Sequence, residues 1–141
     1  MQSALAVAGL MMLTPWRAIA AAWNRAAFEA QNVDSSLQGL GIAKTNSSRE
    51  IILIAPDFAE NGAIVQVEVS SHIPGTEALA ILVEKNPTPL VANFVFSNGA
   101  EPYVVTRIKM AETSEITAII QAGGQYYSAA KIVQVSVGGC G

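Results

Sequence analysis

Residues 63–70 read AIVQVEVS, and this stretch decides the fold. Val65, Val67 and Val69 fall in one phase, and Gln66, Glu68 and Ser70 fall in the other. Side chains of a strand point alternately to its two faces, so this is a strand with one face in a core and one in water. Working outward, strands are expected at 50–55 (EIILIA), 78–84 (ALAILVE), 91–97 (VANFVFS), 103–110 (YVVTRIKM), 115–121 (EITAIIQ) and 126–137 (YYSAAKIVQVSV). Turn residues separate them: Glu60-Asn61-Gly62, Ile73-Pro74-Gly75, Asn86-Pro87-Thr88-Pro89, Ser97-Asn98-Gly99 and Gly123-Gly124. About seven short strands, spaced roughly 10–14 residues apart, predict an all-β chain folded as an immunoglobulin-like antiparallel sandwich. In the last stretch Ala130 and Ile132 share one phase while Val133, Val135 and Val137 share the next. That slip predicts a bulge near Lys131.

Upstream of the strands the period changes. In residues 21–41, Trp23, Ala27, Ala30, Val33 or Asp34, and Leu37 recur at three- and four-residue steps. The spacing predicts a helix, stopped by Gly39 and Gly41. Residues 43–49, AKTNSSR, form a polar linker whose Asn46-Ser47-Ser48 sequon reads as an exposed turn. Residues 1–20 hold an apolar run from Ala4 to Leu13, then Ala18-Ile19-Ala20, the small-x-small pattern of a signal-peptidase site. At ~10 residues the run is short for a bilayer span. The reading is an export signal, with no membrane contact after its removal. Nothing basic precedes the run except the α-amino group, so either the natural start is expected further upstream or a basic leader has been lost from this sequence. The chain thus divides into an export signal (1–20), a helix and linker (21–45), a β-sandwich domain (46–137) and a tail (138–141).

Composition narrows the function. Charged residues make up 13% of the chain and hydrophobic ones 51%, against about 25% charged in an ordinary soluble domain. A surface so poor in charge suits a protein that docks on others. Eight Lys and Arg, scattered and outnumbered by eleven Asp and Glu, form no basic stripe, which argues against nucleic acid as a partner. His72 is the only histidine and Cys140 the only cysteine, so there is no metal-ligand cluster, internal disulfide or Cys-x-x-Cys site. Asp57, Glu60, Glu112 and Glu115 lie near expected turns, where charge is ordinarily solvation. Gly123-Gly124 falls between two strands and so makes no phosphate loop. No nucleophile, base and oxyanion hole come together, and the chain does not read as an enzyme.

The remaining feature is the tail. Cys140 stands one residue from the carboxylate among Gly138, Gly139 and Gly141. Glycine has no Cβ, so the tail is thin and conformationally free. Three extended residues carry the sulfur about 10 Å past Val137, which lets the thiol enter another protein's channel. The root of this leash is fixed by the last strand. A model cysteine titrates near ~8.5 and is only a few per cent thiolate at neutral pH. The carboxylate one residue away disfavours the anion. Such a thiol is sluggish when free and needs a partner's site to activate it.

Four stretches together, VGGCG (137–141), NPTPLVANF (86–94), APDFAENG (55–62) and TRIKMAET (106–113), resemble the SoxY family. These are the sulfur-carrier subunits of the periplasmic thiosulfate-oxidising Sox system. The resemblance covers about residues 28–141, and the Gly-Gly-Cys-Gly terminus is its most specific part. It implies an immunoglobulin-like sandwich, in agreement with the strand reading. It implies that Cys140 is the site of covalent sulfur attachment and that Gly138, Gly139 and Gly141 form a swinging arm. A c-type cytochrome partner would join thiosulfate to Cys140 oxidatively as a Cys–S–sulfonate adduct. A hydrolase would then release sulfate, a sulfane dehydrogenase would oxidise the remaining sulfur, and hydrolysis would free the thiol. The resemblance further implies pairing with a SoxZ-like subunit through one apolar face, and no permanently bound cofactor. Two departures are visible. The family usually ends Gly-Gly-Cys-Gly-Gly where this chain ends Gly-Gly-Cys-Gly, and many family leaders carry twin arginines that are absent here. Two other readings stand beside the carrier: a binding or structural sandwich with an incidental cysteine, and a thiol enzyme such as a sulfurtransferase working alone.

Overall fold

The computed structural model describes residues 25–139. The expected export signal, Cys140 and Gly141 lie outside the described residues. Among the described residues nine strands form two sheets. They are β1 (Asn46–Ser47), β2 (Ile51–Ile54), β3 (Phe58–Asn61), β4 (Val65–Ser71), β5 (Thr76–Val83), β6 (Leu90–Val95), β7 (Tyr103–Ile108), β8 (Ser114–Ala122) and β9 (Gln125–Val137). The large sheet runs β1-β9-β8-β5-β6, with β3 also on β9, and the small sheet runs β2-β4-β7. This is the all-β, immunoglobulin-like sandwich expected, with more strands than the alternation revealed.

The deciding stretch behaves as read. Val65, Val67 and Val69 of β4 are buried and meet Leu79, Ile81, Val83, Ile116, Ile120 and Val133 of the large sheet in the main core. The large sheet is covered on its other face too. Ala80, Leu82 and Ile119 point away from the sandwich and pack with Ala27, Ile42 and Leu90, backed by Val33, Leu37 and Leu40. Leu79 through Val83 are therefore all buried, in both phases. A strand buried on both faces reads as an unbroken apolar run, and ALAILV is such a run.

The covering segment is not the single helix expected over 21–41. Residues 25–29 are helical, the chain breaks, and a second helix, α1, runs Val33–Gly39. The break is forced. A Cβ added at Gly39 would lie 2.8 Å from the Cα of Ala27, whereas twelve residues of straight helix span about 18 Å. Asn32 starts α1: its backbone is extended and its side-chain oxygen accepts a bond from the Ser35 amide at 2.8 Å. Gly41 ends it at φ +74°. The Gly41 amide bonds Gln38 O and the Ile42 amide bonds Leu37 O, the paired bonds of a Schellman stop.

Three further expectations are corrected. Residues 58–61, taken as part of a turn, form β3 in parallel register with Gln134–Val137. Its only large apolar side chain, Phe58, points outward and is 55% exposed, so no alternation betrays it. The short polar β1, within the expected linker and sandwich boundary, pairs in parallel with Tyr127–Ser128. There is also no bulge at Lys131, because β8 and β9 hold one register from Ser114↔Val133 to Ala122↔Gln125. Ala130 and Ile132 simply face outward. Lys131 takes the phase of Val133 and sends its ammonium to Ala55 O at 2.6 Å and to Asp57 Oδ1 at 2.9 Å. The register shifts lie in β5 instead, between Ile81 and Leu82 against β6 and between Thr76 and Ala78 against β8.

Burial on both faces makes two predictions alike. Leu82→Ala, on the helix side, is expected to cost about 2–5 kcal/mol, as is Ile120→Ala on the sandwich side, both read by denaturant unfolding. A near-neutral Leu82→Ala would show that the N-terminal segment does not cover the sheet. The Lys131 ion pair lowers the Asp57 pKa below its ordinary value of 3.8, first through the hydrogen bond and then through charge. A lowered carboxylate stabilises the fold above its unfolded pKa, and that contribution fades as pH falls through the folded one. Asp57→Asn should therefore flatten the acid limb of a stability–pH profile, by little, because the carboxylate is exposed.

Candidate functional site

The tail leaves the body as a continuation of β9. Two segments flank its root. On one side β3 ends at Asn61, paired with Val137, and the next amide, of Gly62, donates to Val137 O at 2.8 Å. The Asn61 side chain accepts from the Ala63 amide at 2.9 Å and closes the turn that follows. On the other side β8 stops pairing at Val133, and Thr113 takes over. Its hydroxyl accepts from the Val135 amide at 2.9 Å. Farther along, the Gly139 amide donates to Met110 O at 2.9 Å.

The two flanks are also tied to each other: the Met110 amide donates to Gly62 O at 2.7 Å. Behind the 109–111 segment stands Asn86, in the β5–β6 loop. Its side-chain amide donates to Lys109 O at 2.7 Å, and its side-chain oxygen accepts from the Ala111 amide at 2.8 Å. One side chain thus satisfies a donor and an acceptor two residues apart, as a neighbouring strand would. Lys85 and Ser114 reinforce the same loop, the Lys85 amide donating to Ser114 Oγ at 3.0 Å.

Glycine at 62, 138 and 139 is dictated by close approach. A Cβ at Gly138 would lie 2.0 Å from Ala111 O, and one at Gly62 would lie 2.2 Å from Met110 O. A Cβ at Gly139 would lie 2.9 Å from Gly62 O. No side chain fits such gaps. Gly138 and Gly139 are therefore held against the body in this structure. The hold is light. One backbone hydrogen bond is worth about 1 kcal/mol net, a bias of roughly fivefold, so the root is ordered without being locked.

Of the residues singled out from the sequence, Gly138 and Gly139 are seen at this seat, and Cys140 and Gly141 lie beyond the described residues. The sequence reading missed Gly62, Asn86, Met110, Ala111 and Thr113. A signal for them was present: each falls in one of the other three stretches that carried the family resemblance. His72, Glu60, Glu112 and Glu115 are exposed. Among the described residues no three His, Cys, Asp or Glu side chains could together hold a metal. No helix there is long and apolar enough to cross a membrane. A cavity of about 310 Å³ lies between α1 and the large sheet, lined by Leu40, Ile42, Asn93, Val95, Gln121 and Tyr126 among others. It shares no residue with the seat and offers no titratable side chain besides a tyrosine.

Comparison with known proteins reaches the same region. The family model for the sulfur oxidation protein SoxY matches residues 37–140. Among solved structures, the sulfur carrier protein SoxY from Chlorobium limicola f thiosulfatophilum is 36% identical, with a TM-score of 0.66, covering 74% of this chain and 94% of that one. A superoxide reductase (neelaredoxin) from Ignicoccus hospitalis is 19% identical, with a TM-score of 0.55, covering 62% of this chain and 80% of that one. That second likeness is one of fold alone. A search of curated proteins returned no match.

Gly62→Ala tests the close approach. Its Cβ would have to push the Met110 carbonyl aside, and the expected loss is about 1–3 kcal/mol, read by denaturant unfolding. A variant as stable as the parent would show that the seat yields to a side chain.

Proposed function

We propose that this chain, which belongs to the SoxY family of sulfur oxidation proteins, is a sulfur carrier of a thiosulfate-oxidising system and that Cys140 bears the cargo. The observation that carries this reading is the reach of the family match, which runs through residue 140. The solved relative described as a sulfur carrier protein SoxY supports it. So does the geometry, in which the strand leading to the cysteine is flanked on both edges as far as Val137 and is held by one further hydrogen bond at Gly139.

On this reading the thiol works by covalent attachment. The Cys140 sulfur bonds to the sulfane sulfur of thiosulfate, the thiol proton passes to solvent, and the electron pair leaves to a c-type cytochrome. Hydrolysis of the bond to the sulfonate group releases sulfate and leaves a persulfide. A sulfane dehydrogenase takes six electrons from the outer sulfur, three waters supply its oxygens and their protons pass to solvent, giving a sulfonate, and a second hydrolysis releases sulfate and restores the thiol. The chain contributes no permanent cofactor to these steps. Its tail brings no fixed cation along the sequence, so activation of the thiol is assigned to the partner enzymes. Gly138, Gly139 and Gly141 form the narrow arm that presents the thiol to them, with the sandwich over 46–137 as its base. The place of action is the periplasm, reached through the 1–20 signal.

Pairing with a SoxZ-like subunit belongs to the same proposal. Supporting it, Ile52, Ile54, Tyr103 and Val105 remain between 41% and 53% exposed on the outer face of the small sheet. The surface is also poor in charge.

Two measurements test the carrier. During thiosulfate turnover with partner enzymes, the Cys140 peptide should gain sulfur-containing mass that a reductant removes. Cys140→Ser should abolish thiosulfate-dependent turnover while leaving the unfolding curve in place. An unmodified peptide during active turnover, or full activity in the serine variant, would leave a binding module with an incidental cysteine.

A further inference from the structure

We propose that Asn86 is a positioning residue for the carrier thiol, acting through the backbone of Lys109–Ala111 to fix where the arm leaves the body. The inference rests on the carrier reading and adds to it a residue far from the tail in sequence. Asn86 touches neither the arm nor, on this reading, the cargo. It holds Lys109 O and the Ala111 amide at 2.7 and 2.8 Å. Between those two bonds sits Met110, whose carbonyl accepts the Gly139 amide at 2.9 Å. The Ala111 carbonyl is the wall against which Gly138 lies. Asn86 itself is steadied, its amide bonded to Val83 O at the end of β5 and its loop closed by the Val83 amide on Pro89 O.

The chain of contacts is therefore short: β5, Asn86, the 109–111 backbone, Gly139, and then one peptide unit to Cys140. Without Asn86, Lys109 O and the Ala111 amide lose their partners, and only the Met110 amide's bond to Gly62 O still ties the segment to the other flank. The arm would then leave Val137 on a looser second support. A partner's channel would have to order residues 138–139 as well as receive the thiol, and ordering chain on binding weakens binding. The seated root leaves the chemistry untouched and makes docking easier.

The test uses the full chain in its reduced form. Amide hydrogen exchange of Gly139 is expected to quicken several-fold in Asn86→Ala, while the amides of Val67 and Ile120 keep their protection. Gly138→Ala attacks the same seat from the arm's side and should quicken Gly139 exchange similarly. The double variant should be no faster than the faster single one, since the seat can be lost only once. In reconstituted thiosulfate oxidation with the cognate partner enzymes, Asn86→Ala should raise KM for the carrier several-fold with kcat within about twofold of the parent. Should Asn86→Ala not fold, Asn86→Asp keeps the acceptor for Ala111, loses the donor to Lys109, and carries the same test. Unchanged Gly139 exchange, additive effects in the double variant, or an unchanged or lowered KM would each overturn the proposal. These outcomes are distinct from failure of the carrier reading, which shows as turnover surviving Cys140→Ser whatever Asn86 does.

Discussion

Strand β9 is hydrogen-bonded on both edges, and this constraint organises the molecule. A strand edge with unmet amides and carbonyls is a liability in water and an opening for aggregation. Here β8 fills one edge through Val133, and Thr113 and Met110 continue along it. On the other edge β1 and β3 pair in turn, with Asp57 O accepting the Gln134 amide and the Gly62 amide reaching Val137 O. Everything that touches the tail is recruited by this need for partners. The Lys131 ammonium on Ala55 O and Asp57 holds the start of β3 where it can pair.

The glycines near the cysteine acquire a second meaning from this arrangement. In isolation they are flexible links. Against β3 and the 109–111 segment they are the only residues small enough for three backbones to meet. The two properties serve one end. A root that closes by backbone contact alone, with about 1 kcal/mol of net hydrogen bonding, is ordered where the chain leaves the body without being locked there.

Much of the fold was legible because its strands advertise themselves by phase. Val65, Val67 and Val69 sit in the core as the alternation requires, and the turn residues mark the strand ends well. What escaped was whatever depends on distant pairing. Phe58–Asn61 has no alternating apolar pattern and becomes a strand only because Gln134–Val137 lies beside it. Ala130 and Ile132 looked like a slipped register because exposed apolar side chains on β9 carry the same letters as buried ones. At the site, Cys140 stood out by its rarity. Asn86 could not, since its role lies in two hydrogen bonds to a segment more than twenty residues away.

The parallel pairing of β9 with β1 and β3 also bears on synthesis. The large sheet spans nearly the whole described chain, and β9 is made after every strand it joins. While a nascent chain still lacks those residues, β8 has one bare edge, β3 has no partner and the inner face of the small sheet is missing Val133 from its cover. Non-local closure of this kind is slow and leaves apolar surface open in the meantime. Closure therefore waits until β9 has been made, and a holding chaperone would find its binding site in that interval.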